Sequence, residues 1–139
     1  MNNDKMQTLA KSKNIIIESE YETVELSFIK NYGFKKKSVT IGDFYGDPEC
    51  AIISKDETYC VVGGCGLIVY WIKNPLEEFE YDKRTKQFQE YFRKPNDIWW
   101  ITSIQQLKGH IVKFEVNSSE TEEKESFEMN VKNGELKRL

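Results

Sequence analysis

The chain has 139 residues, a net charge of −3 and a sequence pI near 5.3, with 39% hydrophobic, 13% aromatic and 31% charged residues. That length suits one core, and that composition excludes a wholly disordered chain. An acidic balance argues against a sequence-blind nucleic-acid binder, which needs surplus Lys and Arg to displace counterions from phosphates.

Residues 1–13 are polar and without pattern, so a flexible amino terminus is expected, with a short helix over Lys5 to Ala10 as the alternative. They lack the apolar stretch of a signal peptide, and no run reaches the roughly 18–20 apolar residues that cross a bilayer, so a cytoplasmic protein without a membrane partner is expected. Three cysteines without a secretory signal point to free thiols in a reducing compartment. Cys50 and Cys60 are placed to face each other across a hairpin, which does not by itself make a bridge.

From Asn14 onward the pattern is β. Ile15-Ile16-Ile17 is β-branched, and Thr23 to Phe28 alternates apolar and polar at period two, with Ser19 to Glu22 as the turn between. Asn31-Tyr32-Gly33 offers a second turn. Lys35-Lys36-Lys37 then opens Ser38 to Ile41; the triplet reads as a solvated strand edge rather than an anion grip. Gly42 to Pro48 has loop chemistry: glycine for positive φ, aspartate for local backbone bonds, proline for a fixed φ.

Cys50 to Ile53 and Tyr59 to Val62 flank a polar turn, a hairpin whose arms are apolar at consecutive positions and therefore covered on both faces. Gly63-Gly64-Cys65-Gly66 interrupts, and Leu67 to Ile72 resumes as six apolar residues, again a strand buried on both sides. The glycines invite a phosphate-cradle reading. Strand follows strand here, however, with no helix and no Gly-Lys-Ser/Thr, so a bulge or a tight bend beside another backbone is expected.

Asn74 to Glu78 suits a one-turn helix capped by Asn with Pro at its first position. Phe79 to Tyr81 and Phe88 to Phe92 are expected to pair as a hairpin around Asp82 to Lys86, since a helical stripe through them fails in the middle. Ile98 to Ile104 and His110 to Val116 read as further strands, the second with one solvent face. Asn117 to Glu125 is a polar acidic loop; Phe127, Met129 and Val131 alternate, and Asn133-Gly134 turns the chain back at Glu135 to Lys137.

Candidate chemistry is thin. Cys60, Cys65 and His110 lack zinc spacing and a fourth ligand, so no metal and no cofactor is expected. Cys65 has no marked base, and Asp43 and Asp47 lie where aspartate ordinarily closes turns, so no catalytic residue is assigned. Trp99 and Trp100 are adjacent on one strand and point to opposite faces, so one of them is a candidate for exposure, ringed by Tyr91, Phe92 and Arg93. The candidate binding residues are Asp43, Tyr45, Asp47, Tyr91, Trp99 and Trp100.

One pattern carries a resemblance: Gly46-Asp47-Pro48 through Gly63-Gly64-Cys65-Gly66-Leu67-Ile68-Val69-Tyr70, then Asp97-Ile98-Trp99-Trp100. It resembles small uncharacterised bacterial proteins, some of them similar to immunity proteins of toxin–immunity pairs, over Ile41 to Ile101. The resemblance implies a cytoplasmic, non-enzymatic binder of a toxin domain, with an acidic surface that complements a basic one. The expected fold is mainly β: one antiparallel sandwich or partly open barrel spanning 14–139, with little helix. The rival expectation is a small-ligand or carbohydrate-binding β domain that uses its aromatics as a stacking platform.

Overall fold

A computed structural model describes residues 6–29, 36–117 and 124–139. Three consecutive four-stranded meanders make up the fold, and all pairings are antiparallel. The first runs through β1 (Met6–Lys11), β2 (Ile15–Glu20), β3 (Thr23–Phe28) and β4 (Ser38–Asp43). The second runs through β5 (Cys50–Ile53), β6 (Tyr59–Gly64), β7 (Gly66–Trp71) and β8 (Phe88–Tyr91). After a small hairpin of β9 (Arg93–Lys94) and β10 (Asp97–Ile98), the third comprises β11 (Trp100–Lys108), β12 (Ile111–Asn117), β13 (Lys124–Asn130) and β14 (Leu136–Arg138). Every sheet is open, so the mainly-β expectation holds as a layered sandwich and not as a barrel.

The middle sheet is the shared wall of two cores. Because strand side chains alternate, Cys60, Val62, Ile68 and Tyr70 face Ile15, Ile17, Val24, Leu26, Val39 and Ile41 of the first sheet. Their neighbours Tyr59, Val61, Leu67 and Val69 face Ile101, Val112, Phe114, Phe127 and Met129 of the third. Every residue of β6 is buried, which is why its sequence is apolar without alternation. The outer sheets have one wet face each and alternate accordingly, as in Val112 and Phe114 against Lys113 and Glu115. A fully buried side chain of this kind contributes roughly 1.5–3 kcal/mol of transfer free energy.

Five local expectations are corrected. Met6–Lys11, expected within a flexible terminus or a short helix, form β1 on β2; tertiary pairing supplies what weak local propensity does not. The turn between β2 and β3 is only Tyr21-Glu22, with Tyr21 at φ 56°, so Ser19 and Glu20 are still strand. Residues 74–78 form no helix, and the Asn74–Pro75 peptide is cis. Phe79 to Tyr81 are not a hairpin arm: β8 pairs with β7, whose edge would otherwise be open, while the Phe79 N–H donates to the Thr40 carbonyl (2.9 Å). Cys50 and Cys60 lie opposite Gly63 and Ile53 and pack into different cores, and all three thiols are free.

The glycine-rich stretch is a reversal. Gly64 pairs with Gly66 and Cys65 sits at the apex, so β6 turns directly into β7. Gly66 has φ +87°, and a Cβ there would lie 2.7 Å from the Tyr91 carbonyl oxygen. The expected close backbone approach is thus present at a hairpin tip. The Asn31 to Gly33 turn, Lys35 of the lysine triplet and most of the acidic loop fall outside the described residues.

Candidate functional site: an aromatic concavity around Arg93

The end of β4, the Cys65 reversal and the β9–β10 hairpin meet at one end of the layers. Between them lies an open concavity of about 580 Å³, lined by Glu22, Asp43, Phe44, Tyr45, Cys65, Tyr81, Arg93, Pro95 and Ile98. Most of its surface is carbon, and its shape is shallow.

Arg93 organises it. Its Nε donates to Glu90 Oε1 (2.8 Å), one terminal nitrogen donates to the Cys65 carbonyl (3.1 Å) and the other to the Asp43 carbonyl (2.6 Å). The guanidinium lies over the rings of Phe44 (4.8 Å) and Tyr81 (5.8 Å). One side chain therefore ties the β4 end, the β6–β7 tip and the β7–β8 connection together, using the planar fork that arginine alone provides. Glu90 is fully used as well, since its other oxygen accepts from the Asp82 N–H (2.6 Å). The guanidinium charge is therefore internal, and the charge left at the rim is acidic, from Glu22 and Asp43.

The loop that carries Tyr45 is fixed from below. The Phe44 N–H donates to the Glu22 carbonyl (2.8 Å) and the Gly46 N–H to the Glu22 carboxylate (2.7 Å). Tyr45 then stands 79% exposed, with Tyr81 at 62%, Ile98 at 39% and Trp100 at 41% nearby in the fold. Cys65 is almost buried: burial pushes its thiol up, and the Arg93 charge pulls it part of the way back.

The candidate residues scatter. Asp43 and Tyr45 line the concavity. Asp47 is exposed beside it, and its carbonyl lies against Gly64. Trp100 faces outward next to Cys65, with which its backbone bridges. Trp99 turns inward, stacked on Phe92 (4.0 Å between ring centres, planes 4° apart) and packed on Phe127 (4.8 Å), its indole N–H held by Asp97 (3.1 Å). Tyr91 lines a different depression, with Trp71 and Lys73. So Trp99, stacked on Phe92, is the half-buried one of the pair, and Trp100 is the exposed one.

Sequence reasoning missed Glu22, Phe44, Tyr81 and Ile98 as lining residues and the hub role of Arg93. An arginine set among aromatics, as in Tyr91-Phe92-Arg93, was the available signal, because such a cation is often held over ring faces. Among the described residues, no three His, Cys, Asp or Glu side chains gather to hold a metal, and no helix is long and apolar enough to cross a membrane. The chain matches no family model, no curated protein and no solved structure.

Proposed function

We propose that this chain is a non-enzymatic protein-binding module whose concavity docks a basic protein partner, in the manner of an immunity protein that neutralises a cognate toxin domain in a reducing cytoplasm. The observation that carries the reading is the exposure of Tyr45, Tyr81, Ile98 and Trp100 around a hub already ordered by Arg93, with Glu22 and Asp43 at the rim. Interface anchors are commonly aromatic and rimmed by charge, and a preordered platform limits the entropy lost on docking. The shallow form suits a protein face better than a small sugar, which favours the partner reading over a carbohydrate module.

The test is binding between purified protein and the product of the neighbouring gene, followed by calorimetry. The double variant Tyr45→Ala/Ile98→Ala should lose about 100-fold in affinity or more, with little change in melting temperature, because both side chains are exposed. Unaltered affinity in that variant overturns the assignment of the surface. Absence of any complex, with an oligosaccharide raising the melting temperature instead, overturns the function.

A further inference from the structure

A second depression, of about 520 Å³, lies between the end of β7, β8 and the β13–β14 turn, and it shares no lining residue with the Arg93 concavity. It is lined by Trp71, Lys73, Lys86, Gln89, Tyr91, Lys132 and Asn133. In a chain with 23 acidic residues and a net negative charge, no carboxylate lines it. Three lysines from three distant segments do, and among the described residues none of the three is in an ion pair.

The scaffold beneath is ordered by buried polar groups. Gln87 is 3% exposed, and its amide nitrogen donates to the carbonyls of Trp71 and Lys73 (3.2 Å to the latter), which fixes the backbone that carries Lys73. Gln89 accepts from the Trp71 indole N–H (2.9 Å) and donates to the Thr85 carbonyl (3.2 Å), so both of its polar ends are taken. The Asn133 side-chain oxygen accepts from the Glu135 N–H (2.9 Å). What remains to meet a ligand is three ammonium groups, the Asn133 amide nitrogen and the Tyr91 hydroxyl, beside the half-buried rings of Trp71 and Tyr91. With three cations and an amide donor in the set, such an array selects an anion, and the ring surface selects a planar group attached to it.

We infer that this depression binds a small phosphorylated ligand with a planar ring, of the nucleoside-phosphate class: phosphates on Lys73, Lys86 and Lys132, ring against Trp71 and Tyr91. The volume lies inside the usual range for small-molecule sites. This inference rests on different residues from the partner-binding proposal and stands or falls separately.

The test is titration of the full chain with ADP at low salt, with adenosine and inorganic phosphate as the two half-ligands. Saturable ADP binding should shift the Trp71 indole N–H resonance and leave that of Trp100 in place. Each half-ligand should bind about tenfold more weakly or worse, and Lys73→Gln/Lys86→Gln/Lys132→Gln should lose about 100-fold. All three lysines are exposed, so the melting temperature of the triple variant should match that of the parent. The indole shift in the unaltered protein reports the site even if that variant folds poorly. No saturable binding at millimolar ADP, or full binding by a folded triple variant, overturns the site. Phosphate binding as tightly as ADP overturns the ring contact.

Discussion

Arg93 carries its charge where water scarcely reaches: its side chain is 9% exposed and that of its partner Glu90 is 13% exposed. Three bonds and two ring faces compensate its lost hydration. Breaking such a pair from one side strands the other charge, which costs more than the pair contributes. Arg93→Met should therefore lower stability by about 3 kcal/mol in urea unfolding, because Glu90 and the carbonyls of Cys65 and Asp43 lose their donor. Arg93→Lys should recover only part of that loss, since a single ammonium cannot serve three acceptors in three directions. Equal stability of all three proteins would remove Arg93 from the centre of the site. The sequence marks this residue as a cation among aromatics, but the partners that make it a hub lie 28 and 50 residues away.

Between elements, the first and middle sheets are joined by hydrogen bonds at one turn as well as by carbon. Glu57, at φ 58° in the β5–β6 turn, accepts from the Ser12 hydroxyl, the Asn14 amide (2.7 Å) and the Asn14 N–H (3.0 Å) of the β1–β2 turn. Burial raises its carboxyl pKa, but these bonds outweigh it and hold the group below its ordinary 4.5. A depressed carboxylate stabilises the fold above its unfolded pKa, and that contribution is lost as pH falls through the folded value. Glu57→Gln should then cost about 1–2 kcal/mol near neutrality, and the gap to the parent should close below about pH 4. A gap that persists unchanged in acid would mean that Glu57 acts by packing alone. No local pattern announces this clamp, because Asp56-Glu57-Thr58 reads as an ordinary polar turn.

At the scale of the molecule, the middle sheet is covered on both sides, and the thiols of Cys50 and Cys60 and the hydroxyl of Tyr70 are held neutral. Burial pushes the Cys60 thiol up strongly, raises Cys50 from 9.0 to about 12, and raises the hydroxyl of Tyr70. With folded pKa values above the unfolded ones, stability is complete below about pH 9 and is lost as pH rises from there, because the unfolded chain releases protons that the fold retains. Urea midpoints should fall steadily between about pH 9 and pH 11. Cys60→Ala should flatten that fall, by about 1.4 kcal/mol per pH unit for the proton removed. An unchanged slope would show that the thiol ionises without unfolding.

What the sequence determined by itself is which residues leave water and with what period. Consecutive apolar residues in Tyr59 to Val62 and Leu67 to Ile72 required strands covered twice, and alternation at Val112, Phe114, Phe127 and Met129 required strands covered once. Those demands already imply a layered antiparallel fold. Only the tertiary structure decided which strand pairs with which, so β8 joined β7 instead of Phe79 to Tyr81, and β1 formed from a stretch with little propensity of its own. It also decided that Trp99 turns in and Trp100 out, and that Arg93 and the three lysines each gather what the chain holds apart. Burial and period are local properties of a chain, whereas pairing and convergence depend on free-energy differences between distant partners, which no window of sequence contains.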